Sequence, residues 1–125
     1  MKIEVSNGEL VDKVSILSIK LENIKDKNKL TNIKKEYDLL LQKMELLKIN
    51  IDSEEFKELQ SVNRELWKIE DKIRIKEAKQ EFDDEFIQLA RSVYFKNDVR
   101  FEIKRKINAQ TNSLLAEEKE YVKYK

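Results

Sequence analysis

The chain has 125 residues, with 26 lysines and arginines against 25 aspartates and glutamates, and neither histidine nor cysteine. Charged residues make up 41% of it, against about 25% in ordinary soluble domains, yet the net charge is only +1, so no global field steers it toward nucleic acid or a membrane surface. The missing side chains exclude disulfides, imidazole or thiolate metal sites and Ser-His or Cys-His nucleophiles, and with no proline and a single glycine, Gly8, a glycine-rich phosphate loop cannot be built.

The length suits one domain, residues 1–125. The N-terminal "MKIEVSNGEL" lacks an apolar run of signal-peptide length, and no stretch approaches the roughly 18 apolar residues of a membrane span. The expectation is a cytoplasmic protein without membrane contact or cofactor. Lysine outnumbers arginine 21 to 5, so each arginine carries more information than each lysine.

"KIEV" can form a short extended segment. The first firm signal is "SNGE", where Ser6 caps a helix and Glu9 reaches back as a capping box. Leu10, Val14, Leu17, Leu21 and Ile24 then form one apolar stripe. After the polar "KDKNK" the stripe resumes out of register at Leu30, Ile33, Tyr37, Leu40, Met44 and Leu47, which predicts a kink or short break near 26–29 within one arm.

"NIDSEEF" predicts the next start, with Asp52 as N-cap and Glu55 three residues on. Leu59, Val62, Leu66, Ile69 and Ile73 follow with heptad-like, coiled-coil spacing that suits antiparallel packing against the Leu30 to Leu47 segment. In "EFDDEF" Asp83 is the cap and Phe82 is placed to staple onto Ile87. The last helix carries Phe86, Leu89, Val93, Ile103 and Ile107, with a possible bend at 95–98 and a fraying end at "EEKEYVKYK". The fold expected is all-α, an antiparallel helical bundle of three long helical arms. Long amphipathic arms in so short a chain favour a homo-oligomer.

Within the last helix, Asn97, Arg100 and Lys104 interrupt the apolar stripe. With Asn97 at zero on a helical wheel, Lys104 lies about 20° and Arg100 about 60° round, either side of Val93 at about 40°. An unpaired buried charge costs several kcal/mol, so these cations require carboxylates, water or a ligand anion. Asn63, Trp67, Glu70 and Arg74 line up as an edge row on the third helix, and Glu9, Lys13 and Lys20 are offered by the first. The candidate ligand-binding seam is therefore Lys13, Lys20, Asn63, Trp67, Glu70, Arg74, Asn97, Arg100 and Lys104. Counted this way it is positive.

Such a seam is either an internal ion-pair network that sets helix register or a cleft for an anionic small molecule, with Arg100 and Arg74 as donors and Trp67 or Tyr94 as a wall. A nucleic-acid surface would show a broader basic patch. One enzymatic pattern exists: Glu55-x-x-Glu58 and Glu81-x-x-Asp84 have the spacing of Mg²⁺-dependent all-α nucleotide pyrophosphohydrolases, and oxygen ligands suit Mg²⁺. A purely structural oligomeric scaffold is the third reading.

The strings "EVSNGELVDKVSILSIKLENI", "LWKIEDKIR", "LARSVYFKNDVRFEIKRKIN" and "EEKEY" resemble those of a family of small uncharacterised bacterial and phage-type helical proteins, classed as a domain of unknown function. The resemblance covers nearly the whole chain. It implies a small protein of its own kind and carries no activity, ligand or catalytic residue. The leading expectation is a non-enzymatic interaction or small-anion-binding module.

Overall fold

The computed structural model describes residues 1–120 and 122–124. Four helices follow one another: α1 Asn7–Asn23, α2 Lys27–Glu45, α3 Glu54–Ala78 and α4 Asp84–Gln110. The class is all-α, and no strand occurs among the described residues, so Lys2 to Val5 precede α1 as exposed chain without pairing.

There are four helices where three arms were expected, because the segment around Asp26 is a full chain reversal and not a kink. Ile24 is extended, and the Asp26 carboxylate then caps α2 by accepting from the Lys29 amide at 3.0 Å. The register slip of the apolar stripe is the trace of that reversal. The third start also moves by one residue: Ser53 is the N-cap of α3, and its hydroxyl accepts from the Asn50 amide at 2.9 Å without capping the helix itself. Asp83 caps α4 as expected, accepting from the Phe86 amide at 2.9 Å. The Phe82 ring meets Phe86 edge-on at 5.2 Å. α4 is not interrupted at 95–98, which is helical throughout.

α1 is the central helix. It packs against α2 on one side and against the α3–α4 hairpin on the other, whereas α2 approaches no helix but α1. The expected pairing of α2 with α3 is therefore absent along their length. Only their adjoining ends share the core, in which Val11 and Val14 of α1 meet Met44, Ile49, Phe56, Leu59, Val62, Ile103 and Ile107.

Ion pairs fix the directions. Glu58 with Lys106, Glu65 with Lys96 and Lys76 with Glu85 make α3 and α4 antiparallel. All buried residues of the hairpin lie in its lower half, at Phe56 to Asn63 and Ile103 to Asn108. Beyond that the hairpin continues as an arm whose Ile75, Phe82 and Ile87 are about half exposed.

Gly8 permits the closest helix contact. A Cβ there would stand 2.5 Å from the Lys104 carbonyl oxygen of α4. Its amide instead donates to Asn108 Oδ1 at 2.6 Å, while the Asn7 amide donates to Ser113 Oγ and the Glu9 amide to Ser6 Oγ. The free amides of the first turn are thus all consumed within the chain.

Candidate functional site

α1 has two faces. The Leu10, Val14, Leu17 stripe was legible, but the opposite row of Gly8, Asp12, Ser15 and Ile19 is buried as well, because α1 has neighbours on both sides. Asp12 is 1% exposed and organises the seam. Its Oδ1 accepts from Arg100 Nε at 2.9 Å and from Asn63 Nδ2 at 2.8 Å, and its Oδ2 accepts from Arg100 Nη2 at 2.5 Å. The same Asn63 amide also donates to Ser15 Oγ at 2.8 Å. Three helices are joined through one carboxylate.

Lys104, 5% exposed, lies one turn along α4. Its Nζ is 2.8 Å from Glu9 and 2.6 Å from Glu117, with Asp12 Oδ2 at 4.0 Å. Burial alone would lower the pKa of Lys104, but its bonds to Glu117 and Glu9 outweigh that and hold it above the ordinary lysine value. Glu117 shows the mirror image: burial pushes it up, and Lys104 pulls it below the usual carboxylate range. The Asp12 hydrogen bonds likewise hold Arg100 above the ordinary arginine value against its burial.

Beside this network opens a cleft of about 270 Å³. Ile16 and Ile19 of α1, Leu66 and Trp67 of α3 and Val93 of α4 form its apolar walls, and Asn63, Glu70, Asn97 and Arg100 its polar groups. Five of the nine seam residues read from sequence, Asn63, Trp67, Glu70, Asn97 and Arg100, therefore surround one space. Lys104 lies outside the cleft lining, in the buried network. Lys13 instead faces α2, 3.7 Å from Glu36, and Lys20 is half-buried in the last turn of α1 away from the cleft. Arg74 is exposed on the arm, 4.0 Å from Glu70. Tyr94 is no wall of this cleft, for its ring packs on Phe95 and Tyr124.

The seam is not positive. Arg100, Lys104 and Lys119 are matched by Asp12, Glu9 and Glu117, of which only Glu9 was counted from the sequence. Asp12 was missed because it falls opposite the obvious stripe. The signal that would have found it is the second row at i, i+4, i+7, i+11 from Gly8, which pairs small and polar residues with the apolar Ile19.

The two acid pairs of the pyrophosphohydrolase spacing stand at opposite ends of the hairpin. Glu58 is level with Lys106, Glu81 with Lys76, and the 18 helical steps of α3 from Glu58 to Lys76 span about 27 Å. They cannot share a metal ion within one chain. No group of three or more acidic side chains placed to hold a metal occurs among the described residues, and no helix there is long and apolar enough to cross a membrane.

A model for a family of unknown function (DUF6165) matches residues 1–124. The chain belongs to that family. No curated protein and no solved structure matches it.

Proposed function

We propose that this member of the family is a non-enzymatic binding module that takes a small carboxylate-bearing molecule into the cleft between α1, α3 and α4. The observation that carries the reading is the way Asp12 holds Arg100. Two of the five guanidinium N–H groups go to Asp12, and a third, on Nη1, makes a long 3.4 Å contact with Asn97 at the cleft. The remaining edge is a preorganised fork for a carboxylate, with Trp67 and the Ile16, Ile19, Leu66 walls beside it.

Charge balance narrows the ligand. Because the network is already neutralised and Glu70 stands on the rim, a bare phosphate meets no net attraction. A zwitterion fits better: carboxylate to Arg100, ammonium to Glu70, apolar side chain against Trp67. Small apolar α-amino acids have this chemistry.

The test is thermal denaturation of the wild type with L-leucine, isovalerate or inorganic phosphate at millimolar concentration. The expected order of stabilisation is L-leucine, then isovalerate, with phosphate inert. Trp67→Ala and Glu70→Gln, which leave the Asp12 network intact, should abolish the preference for L-leucine. No shift with L-leucine, or an equal shift with all three, removes the reading.

A second reading, a structural homo-oligomer, is favoured by the half-exposed Ile75, Phe82 and Ile87 at the end of the arm. It requires a melting temperature that rises with protein concentration.

A further inference from the structure

α2 carries two helical rows, and the bundle uses only one of them. Tyr37, Leu40, Leu41 and Met44 join the core. The other row, Asn28, Asn32, Lys35, Leu39, Gln42 and Leu46, steps by 4, 3, 4, 3 and 4 along the opposite side, and every one of its residues is exposed. Leu39 is 57% and Leu46 78% exposed. The charges of α2 divide in the same way. Lys34 pairs with Asp38, and Glu36 is taken by Lys13 of α1. Lys35 and Lys43, on and beside the outer row, pair with no acid among the described residues.

The hairpin offers the complementary surface. Between α3 and α4 lies a groove of about 490 Å³, lined along α4 by Phe95, Val99, Glu102 and Lys106 at the same 4, 3, 4 spacing. Val99 is 50% exposed. Three acids of the lining, Glu58, Asp98 and Glu102, face one cation, Lys106. Their existing contacts are loose or neutral: Glu58 stands 4.0 Å from Lys106, Glu102 stands 3.9 Å from Arg105, and Asp98 accepts from the Tyr124 hydroxyl. On a helical wheel this groove lies on the opposite side of α4 from Arg100 and Lys104, which turn toward α1. Because α1 stands between the hairpin and α2, ridge and groove point out of opposite sides of the molecule.

We infer that these two faces are the halves of one interface, in which the outer ridge of α2 docks into the acidic α3–α4 groove of a second copy of this chain. Leu39 and Leu46 are seven residues apart, about 10 Å along the helix, as are Val99 and Lys106, so the apolar parts share one span. Lys35 and Lys43 then meet Glu58, Asp98 and Glu102. Charge selects the occupant: ridge against ridge would set lysine on lysine, groove against groove acid on acid, and the acidic groove repels nucleic acid. Since the faces point in opposite directions, the contact is heterologous, and copies add head to tail into a ring or an open row. The groove shares no residue with the small-molecule cleft, nor with the exposed arm end at Ile75, Phe82 and Ile87.

The test is sedimentation velocity of the full chain from micromolar to millimolar concentration. The wild type should grow beyond a dimer as concentration rises. Leu39→Asp spoils the ridge and Val99→Asp the groove, and each variant alone should stay monomeric. Mixed in equal amounts they should form a heterodimer and nothing larger, because the intact groove of the first accepts the intact ridge of the second while the two altered faces repel. If far-ultraviolet dichroism shows that either variant does not fold, Lys35→Ala with Lys43→Ala replaces it on the ridge and Glu102→Gln in the groove, with at least a tenfold weakening of assembly expected. A monomeric wild type overturns the inference, and so does a mixture that stays monomeric or grows as the wild type does. A variant that still assembles like the wild type also overturns it, in favour of the arm end.

Discussion

The molecule contains the same ionic motif twice, a lysine among three carboxylates, at opposite ends of the α3–α4 hairpin. At the turn of the arm, Lys76 meets Glu81, Asp83 and Glu85, all within nine residues of it. In the seam, Lys104 meets Glu9, Asp12 and Glu117, which come from α1 and from the chain that follows α4. The Asp83 hydrogen bond dominates in raising the pKa of Lys76, and its acids remain half to two-thirds exposed to water. Lys104 is lifted against a burial penalty instead. The first motif closes a turn that local sequence already specifies. The second joins segments nearly a hundred residues apart and decides how α1 docks.

That contrast orders the expected effects. Asp12→Leu should be the most damaging single change, because it leaves Arg100 and Lys104 without their shared buried acid. A loss of about 3–5 kcal/mol in urea unfolding is expected. A loss below about 1 kcal/mol would make the seam as dispensable as a surface pair. Gly8→Ala comes next, at about 1–3 kcal/mol, since its Cβ would press on the Lys104 carbonyl, which as helix backbone cannot give way cheaply.

Acid should act at Glu117, which pairs with the buried Lys104, whereas the exposed acids of the arm contribute little. The folded pKa of Glu117 lies below its ordinary 4.5, so its contribution is complete above that value and is lost as pH falls through the depressed one. The tyrosine near-ultraviolet dichroism should accordingly show an acid transition that Glu117→Gln lacks. On the alkaline side Tyr124, raised to about 12 by its bond to Asp98, keeps its contact through pH 10 and loses it as pH rises through its own pKa. Lys76→Met should move the urea midpoint least. A larger effect there than at Gly8 would reverse the comparison between the two ends.

The same division between local and long-range contacts explains what was legible in the sequence. The Ser6 and Asp83 caps, the α1 stripe and the polar interruption at Asn97, Arg100 and Lys104 are local or periodic signals, and all appear in the structure. In the sequence the reversal looks like a kink or short break near 26–29 because it uses neither glycine nor proline, only an extended Ile24 and the Asp26 cap. The seam's residues were found on α3 and α4, yet its sign was misjudged. Asp12 lies on a face that looks solvent-exposed until α1 is known to be central, and Glu117 belongs to a segment without periodicity. Lys13, Lys20 and Arg74 share the helical rows of the seam but not its location, which a wheel drawn for one helix cannot reveal.

The central claim is that Asp12 and Arg100 act as one buried unit on which the seam and its cleft are built. A double-mutant cycle in urea unfolding with Asp12→Leu, Arg100→Met and the combined variant tests it most directly. The account predicts that each single change is costly and that the pair together costs much less than the sum, with a coupling of at least about 2 kcal/mol. Losses that simply add would mean that the two side chains stabilise the fold independently and do not form one buried unit.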